Sequence, residues 1–284
     1  MHEAIELFGG PVELLGCRHV PASQPVGGVV ICSSGPLDAA VDTGRGARLG
    51  RRLARGGVAV QRFHHLGAPA RVGGRTQLCF ASLVDDARQA VDLLRDRCGV
   101  EHLGLVGARL GALVAARVAH SLDGAPLALW EPVVDPRRVV EQAAKARFVQ
   151  QRSGLGAVGG GAPQFDVFDT PLGAELSDGT RIGGLLDEMG DRPRPVLVAQ
   201  TGHGDELCPD YDMLVARCRA RHLTVDAACH PCDGRRGGVP VPLADAGALV
   251  DDTAAWLIAQ LEAPGGAAPA AQPAAPSGAV GTLS

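Results

Sequence analysis

Residues 102–113 read HLGLVGARLGAL, and this segment decides how the rest of the sequence is interpreted. Its first half is a run of small and apolar residues that predicts a short buried strand, and its second half predicts an apolar helix. Gly107 and Gly111 flank the junction, where glycine allows a tight turn and a close approach of two backbones. The segment therefore predicts a strand, a sharp turn centred on Arg109 and a helix.

The same alternation of strand and helix continues on both sides of this segment. Apolar runs predict strands at residues 28–32, 58–63, 103–106, 127–130, 195–200 and 224–229. Helical patterns are found at residues 45–55, from Ser82 onward, and at residues 110–119, 211–221 and 243–261. Two alternating stretches, at residues 4–8 and 12–20, predict a leading antiparallel hairpin. The fold class is therefore α/β, with a mostly parallel central sheet and helices on both of its faces.

One section of the chain breaks this rhythm. Residues 135–192 contain a basic helix-like piece, a glycine cluster and irregular turns, which predict a cap-like insertion over the sheet rather than a second domain. Residues 1–262 then form one domain, because the apolar share of 46% can supply one continuous core. We expect residues 263–284, which are mostly Ala, Pro, Gly and Ser, to be a disordered tail that buries too little apolar surface to order itself.

Charge and composition argue against several classes of partner. The formal net charge is −4 and no long run of Lys or Arg occurs, which disfavours nucleic acid and anionic membranes. The sequence has no stretch of about 18 uncharged apolar residues and no signal-peptide pattern at its N-terminus. We expect a cytoplasmic protein without a membrane span, in which the eight scattered cysteines are reduced and mostly buried.

In this context, residues 102–113 resemble the nucleophile elbow of the α/β-hydrolase superfamily, in which a strand, a sharp turn and a helix expose the reactive side chain. A second block, residues 129–134 (LWEPVV) followed by an Arg-containing helix, extends the resemblance. The two blocks are more narrowly similar to the hydrolase-like proteins associated with exosortase systems, some of which also have arginine at the elbow. The resemblance covers roughly residues 25–261 and implies an α/β-hydrolase fold.

The resemblance also implies a set of site residues at the ends of the strands. It places the catalytic acid at Asp205 and the catalytic base at His230, each after one of the last two main strands. Because His203 stands next to Asp205 in the sequence, it is a candidate for the rim of the site. The oxyanion loop would contain Ser33 and Ser34, and a second oxyanion donor would be the backbone N–H of Leu110. An acid and a base are therefore present in the expected chain order, whereas the elbow position of the nucleophilic serine is occupied by Arg109.

Arg109 changes the chemistry that the elbow can perform. A guanidinium stays protonated at any relevant pH and cannot act as a nucleophile or a general base. A cation at the start of a helix also opposes the helix dipole unless an anion is close by. Two sources of that anion are left open: an ion pair with Glu131, which ends the next strand, or a ligand carboxylate or phosphate bound by Arg109 and the helix N–H groups.

Other nucleophiles and metal ligands are also considered. A relocated nucleophile could be Ser33, Ser34 or Cys32 at a neighbouring strand end, or a thiol of the Cys229-x-x-Cys232 pair beside His230. The same pair could be a redox pair, or a zinc site with Cys208 and Cys218, but a single CxxC after a late strand is a weak signal for either. We predict no metal and no cofactor.

Three functions follow from these residues. The leading hypothesis is a pseudo-hydrolase that binds, or acts non-covalently on, a small acidic or acyl-bearing molecule at the carboxyl ends of the strands, under the insertion. The first alternative is a non-catalytic accessory protein of a biosynthetic system, with a protein partner that the sequence does not identify. The second alternative is an esterase or thioesterase with a relocated nucleophile.

Overall fold

The computed structural model describes residues 1–9, 13–33, 39–64, 79–138, 166–167, 170–171, 182–202, 206–231 and 247–263. Its main feature is one eight-stranded sheet with the order β1-β2-β4-β3-β5-β6-β9-β10. The strands within these described ranges are β1 (His2–Phe8), β2 (Leu14–Val20), β3 (Gly27–Cys32), β4 (Val58–Phe63), β5 (Leu103–Ala108), β6 (Leu127–Trp130), β7 (Asp166–Val167), β8 (Thr170–Pro171), β9 (Pro195–Gly202) and β10 (Thr224–Pro231). Strands β7 and β8 form a separate small antiparallel pair.

The direction of the strands confirms the predicted mixed architecture. Strand β1 pairs antiparallel with β2, and β2 pairs antiparallel with β4, so the leading hairpin forms one edge of the sheet. All the other pairings in the large sheet are parallel. The carboxyl ends of β3, β4, β5, β6, β9 and β10 therefore meet at one edge of the sheet, where open α/β sheets place their ligands.

Helices cover both faces of the sheet, as predicted. They are α1 (Ala39–Arg55), α2 (Phe80–Cys98), α3 (Leu110–His120), α4 (Leu185–Met189), α5 (Pro209–Ala220) and α6 (Gly247–Glu262). Helices α1 and α6 cover one face, and the other four cover the opposite face. Helix α1 starts six residues before the predicted start at Arg45. The prediction placed the start too late because Thr43 and Gly44 are weak helix formers, so the sequence pattern does not indicate the first turn. No helix among the described residues is long and apolar enough to cross a membrane.

Part of the predicted insertion packs into the body of the protein. Helix α4 lies at its C-terminal end and contacts α3, and Leu185 and Met189 are fully buried in the core. The predicted glycine cluster at residues 154–161 and most of the basic piece at residues 137–151 lie outside the described residues. The tail at residues 264–284 also lies outside them, so the cap-like role and the disorder of the tail stay predictions.

Trp130 connects the sheet to α6 through a buried hydrogen bond. Its side chain is 2% exposed, and its indole Nε1–H donates to the hydroxyl of Thr253 at 2.9 Å. Thr253 is fully buried as well. An indole N–H without an acceptor would be costly at this depth, so this bond fixes how α6 lies on the sheet.

The N-terminal hairpin is held to α1 and β4 by a buried histidine. His19 is 0% exposed, and its Nε2 accepts a hydrogen bond from Arg62 Nε at 2.9 Å. Its Nδ1 lies 3.4 Å from Glu3 Oε1, and the same oxygen accepts from Arg51 Nε at 2.6 Å. The imidazole ring fits against Gly50, where a Cβ would come within 2.6 Å of it. We call these four side chains (Glu3, His19, Arg51 and Arg62) the hairpin clasp.

Replacing Thr253 with Val should lower the free energy of unfolding by about 1–3 kcal/mol, because the buried indole N–H of Trp130 would lose its acceptor. Urea denaturation followed by tryptophan fluorescence measures this loss. The control is Thr253→Ser, which keeps the hydroxyl and should cost less than Thr253→Val. If the Val variant were as stable as the wild type, the hydrogen bond would have no such role.

Stability should also fall as the pH is lowered from 7 to 4. Burial, together with the neighbouring Arg62, lowers the pKa of His19 to about 4, whereas a histidine in the unfolded chain titrates near 6.5. Between these values the unfolded chain takes up a proton that the folded protein excludes. The stabilisation is therefore complete above pH 6.5 and is lost on acidification towards pH 4, by roughly 3 kcal/mol at most.

Urea titrations at pH 4, 5, 6 and 7 measure this slope for the wild type and for His19→Gln. The slope should be shallower in His19→Gln, while His102→Gln, which changes an exposed histidine, should keep the wild-type slope. Parallel slopes in all three proteins would contradict this assignment.

Candidate functional site

The elbow depends on a close crossing of β5, α3 and the end of β3. A Cβ on Gly107 would lie 2.5 Å from the Cα of Ala112 and from the backbone oxygen of Gly111. A Cβ on Gly111 would overlap the backbone oxygens of Cys32 and Ser33. Because real Cβ atoms do not make such contacts, both positions require glycine, and the strand-turn-helix predicted from residues 102–113 is confirmed.

Arg109 occupies the turn in a strained conformation. Its φ and ψ are 52° and −117°, a region that non-glycine residues rarely adopt. Its N–H donates to the backbone oxygen of Trp130 at 3.0 Å, and its own backbone oxygen accepts from Ala112 at 3.1 Å and from Val133 at 3.2 Å. These bonds hold the half-buried arginine at the start of α3, at a cost that is typically about 1–3 kcal/mol.

Glu131 follows the next strand and also has a positive φ, 46°. Its carboxylate accepts hydrogen bonds from the Thr201 hydroxyl and from the Thr201 N–H, the latter at 3.2 Å. The other carboxylate oxygen lies 3.4 Å from Arg45 Nη1 of α1. The ion pair that the structure describes for Glu131 is with Arg45. The predicted Arg109–Glu131 pair stays a prediction. Arg45 is buried, and a buried cation needs a counter-charge more than the half-buried Arg109 does.

Tyr211 adds a phenol to the surroundings of Arg109. It lies in the first turn of α5, and burial raises its pKa while the Arg109 guanidinium acts in the opposite direction. The Glu131 carboxylate also raises the pKa of Tyr211. Since its phenol stays protonated, Tyr211 can donate a hydrogen bond. The sequence analysis did not select Tyr211 as a site residue. The available signal was that Tyr211 is the only tyrosine in the chain and comes shortly after β9 and the candidate acid Asp205.

The structure brings Ser33 and Leu110 to the elbow. The backbone oxygen of Ser33 packs against Gly111, and Leu110 is the first residue of α3, where backbone N–H groups have no acceptor within the helix. The other predicted members of this group, Ser34, His203 and Asp205, lie outside the described residues. Their roles stay predictions.

His230 lies at the end of β10, three strands away from β5 in the sheet order. Neighbouring strands are about 4.8 Å apart, so the two strands are separated by roughly 14 Å. The imidazole is 5% exposed, and its Nδ1 lies 3.6 Å from the Asp252 carboxylate of α6. Burial lowers the pKa of His230, and Asp252 acts against that shift. The described partner of His230 is therefore Asp252, and its pairing with Asp205 stays a prediction.

Two of the proposed relocated nucleophiles are poorly placed. Cys32 is fully buried, and burial raises the pKa of its thiol to about 12, so it carries no thiolate near neutral pH. Cys229 precedes His230 in β10, and successive residues of a strand point to opposite faces. The Cys229 thiol instead contacts the backbone oxygen of Glu206 at 3.5 Å and the Gln200 side chain at 3.9 Å. Cys232, like Ser34, lies outside the described residues.

A cavity of about 260 Å³ lies at the carboxyl ends of β3, β4, β5 and β6. It is enclosed by the N-terminal hairpin and α1, and its apolar wall is formed by Ile5, Leu15, Ile31, Phe63, Ala108 and Trp130. The predicted pocket was expected at the same edge of the sheet but under the insertion at residues 135–192. The described cavity is bounded by the hairpin and α1. Most of the insertion lies outside the described residues, so the pocket expected beneath it stays a prediction.

Glu3, Cys17 and His19 are close enough to be considered as metal ligands, with one ligand atom each within 4.8 Å of the others. Two observations argue against this use. The Nε2 lone pair of His19 already accepts from Arg62, and the Arg51 guanidinium hydrogen-bonds Glu3 and lowers the pKa of its carboxyl. Two guanidinium groups at this position would repel a metal cation, so the cluster functions better as the hairpin clasp.

Comparison with known proteins identifies the architecture. Neither a protein-family model nor a curated protein matches the sequence. Among solved structures, the chain is similar to Est1E from Butyrivibrio proteoclasticus, with a TM-score of 0.61 and 16% identity over 90% of this chain and 98% of Est1E. It is similar to the esterase domain of a Rhodothermus marinus protein, with a TM-score of 0.59 and 17% identity over 92% of this chain and 100% of that domain.

A third similar structure is an alpha-beta serine hydrolase homologue from Coxiella burnetii, with a TM-score of 0.53 and 16% identity over 90% of this chain and 96% of the homologue. At sequence identities this low, the similarity supports a shared architecture but gives no information about a shared chemistry. The sheet order, the helices on both faces and the elbow after β5 agree with this architecture. The chain therefore has the α/β-hydrolase fold, with Arg109 at the centre of its elbow.

Proposed function

We propose that this protein binds a small molecule bearing a carboxylate or phosphate at the elbow, and that it does so without forming an acyl-enzyme. The observation that carries the proposal is the position of Arg109. A permanently charged guanidinium stands where this fold exposes its reactive side chain, on a backbone held in a strained conformation by the end of β6. Strain of this kind is concentrated at functional sites.

The groups around Arg109 suit an anion. A guanidinium can bind a carboxylate or phosphate through two parallel hydrogen bonds. The first N–H groups of α3, including that of Leu110, point to the same place and favour negative charge. Tyr211 can donate a further hydrogen bond from α5. The carboxylate of Glu131, which directly follows β6, is already bound by Arg45 and Thr201, and this reduces its repulsion of an anion.

Covalent hydrolysis has less support than binding. Arginine has no nucleophilic state at neutral pH, and the described thiols of Cys32 and Cys229 are not placed to replace a serine. Acid–base chemistry on a bound ligand would need Asp205 and His230 to act together. The similar structures include esterases, which makes an esterase or thioesterase with a relocated nucleophile the second candidate function.

Replacing Arg109 with Ala should weaken the binding of butyrate and of inorganic phosphate at least tenfold, because the main counter-charge of the anion is removed. Arg109→Lys should retain part of the affinity, since an ammonium keeps the charge but cannot form two parallel hydrogen bonds. Isothermal titration calorimetry at low salt measures both. The control, Arg95→Ala, removes an exposed charge far from the elbow, and equal affinities in the wild type, Arg109→Ala and this control would contradict the proposal.

The wild-type protein should hydrolyse short-chain p-nitrophenyl esters and acyl thioesters no faster than His230→Ala does. Arg109→Ser should also remain at background, because the described partner of the His230 imidazole is Asp252 of α6 rather than a group at the elbow. Initial rates at matched protein concentration test this, with circular dichroism to confirm that each variant is folded. Wild-type activity abolished by His230→Ala would instead establish a relocated nucleophile or a water-activating base.

A further inference from the structure

We infer that the cavity between the N-terminal hairpin and α1 is the apolar subsite of the ligand whose acid group is bound by Arg109. This inference rests on the proposed function and narrows it to one chemical class: an amphiphilic monocarboxylic acid with an unbranched or ring-containing apolar part. Three observations carry it, namely the connection of the cavity to the elbow, the nature of its walls and its volume.

The cavity reaches residues that lie next to the elbow. Ala108, which immediately precedes Arg109, is part of its wall. Trp130 also lines it, and the backbone oxygen of the same residue accepts the Arg109 N–H. Ser33 lines it too, and its backbone packs against the first turn of α3 at Gly111. These lining residues flank Arg109 in the chain or contact its turn, and from this we infer that a molecule whose acid group is bound by Arg109 can extend into the cavity.

The walls of the cavity suit hydrocarbon. Ile31, Phe63 and Trp130 form its inner part, and Ile5 and Leu15 line it from the hairpin. Ile5 is 78% exposed, which places the outer opening of the cavity at β1. The charged lining groups belong to the hairpin clasp: Arg62 donates to His19, and Glu3 accepts from Arg51. Arg62 and Arg51 are thus engaged with His19 and Glu3, and the Glu3 carboxylate would repel a second acid group here, so we assign the acid group of the ligand to the elbow end.

The volume limits the size of the apolar part. A space of about 260 Å³ corresponds to roughly eight or nine water-sized groups, and a methylene group is of similar size. This is below the usual range for a whole drug-sized ligand, so the cavity holds one chain or ring rather than an entire large molecule. Each methylene buried there should raise the affinity about fourfold, and the gain should stop once the chain fills the space.

Gly46 provides a way to close the cavity without disturbing the elbow. It lies on α1, is buried and lines the cavity. A Cβ at this position would meet only Arg62 Cδ at 3.5 Å and Ile31 Cγ2 at 3.7 Å, which are ordinary contacts. Gly46→Leu should therefore project its side chain into the cavity, and the loss of a helix-interior glycine favours the folded state. The matched control is Arg48→Leu, since residues two apart on a helix do not share a face.

The experiment compares three probes by calorimetry: butyrate, octanoate and the uncharged 1-octanol. The wild type should bind octanoate at least tenfold more tightly than butyrate. In Gly46→Leu this preference should disappear while butyrate affinity is unchanged, and Arg48→Leu should behave like the wild type. Unchanged octanoate binding in Gly46→Leu, or equal affinities for octanoate and butyrate in the wild type, would overturn the assignment.

Failure of this inference can be distinguished from failure of the proposed function. If Arg109→Ala weakens butyrate but the wild type shows no preference for octanoate, the anion site stands and the cavity assignment falls. If 1-octanol binding is lost in Gly46→Leu but no acid depends on Arg109, the cavity binds apolar molecules by itself, and the assignment of one ligand to both places is overturned. A series from butyrate to decanoate in the wild type keeps the test independent of whether Gly46→Leu folds.

Discussion

The crossing of β5 and α3 at the elbow is the constraint on which the site depends. No Cβ can be accommodated at Gly107 or Gly111, so the helix starts almost in contact with the strand it follows and with the end of β3. The turn between them can then be made only by a residue with positive φ, and that residue is Arg109. Glycine would adopt this conformation without strain. Its absence at the centre of the turn indicates that the side chain at this position has a use.

The charges near the elbow are arranged in two layers. Under the sheet edge, on the side of α1, the carboxylate of Glu131 is held by Arg45 and by both hydrogen-bond donors of Thr201. In this layer, the negative charge of Glu131 is balanced by the positive charge of Arg45. Arg109 and Tyr211 belong to the outer layer: Arg109 follows the end of β5, and Tyr211 lies in the first turn of α5. A guanidinium and a phenol close to the start of a helix are groups that can donate hydrogen bonds to an anion, and this is the basis of the proposed binding role.

Most of the fold could be predicted from the sequence, because it depends on local patterns. Apolar runs bounded by glycine and proline mark the parallel strands, and the glycine spacing in residues 102–113 marks the elbow. The partners of Glu131 could not be predicted, since Arg45 and Thr201 reach it only when α1 packs on a particular face of the sheet. The cavity could not be predicted for a related reason. Its walls come from the hairpin, α1 and four strands, and the periodicity of the sequence does not show which of these elements contact one another.

The order of residues along the chain is not enough to assign His230 the role of a catalytic base. An acid and a base follow the last two strands in the order that the fold implies, yet the base must also point towards the elbow. His230 is still within β10, and the alternation of strand residues directs its imidazole to α6, where Asp252 is its partner. The elbow and the imidazole are therefore organised by different parts of the sheet. A guanidinium at the elbow cannot exchange protons there, and the described partner of the histidine lies on a helix at one face of the sheet. These two features are the reason why we propose binding rather than acyl transfer for this hydrolase architecture.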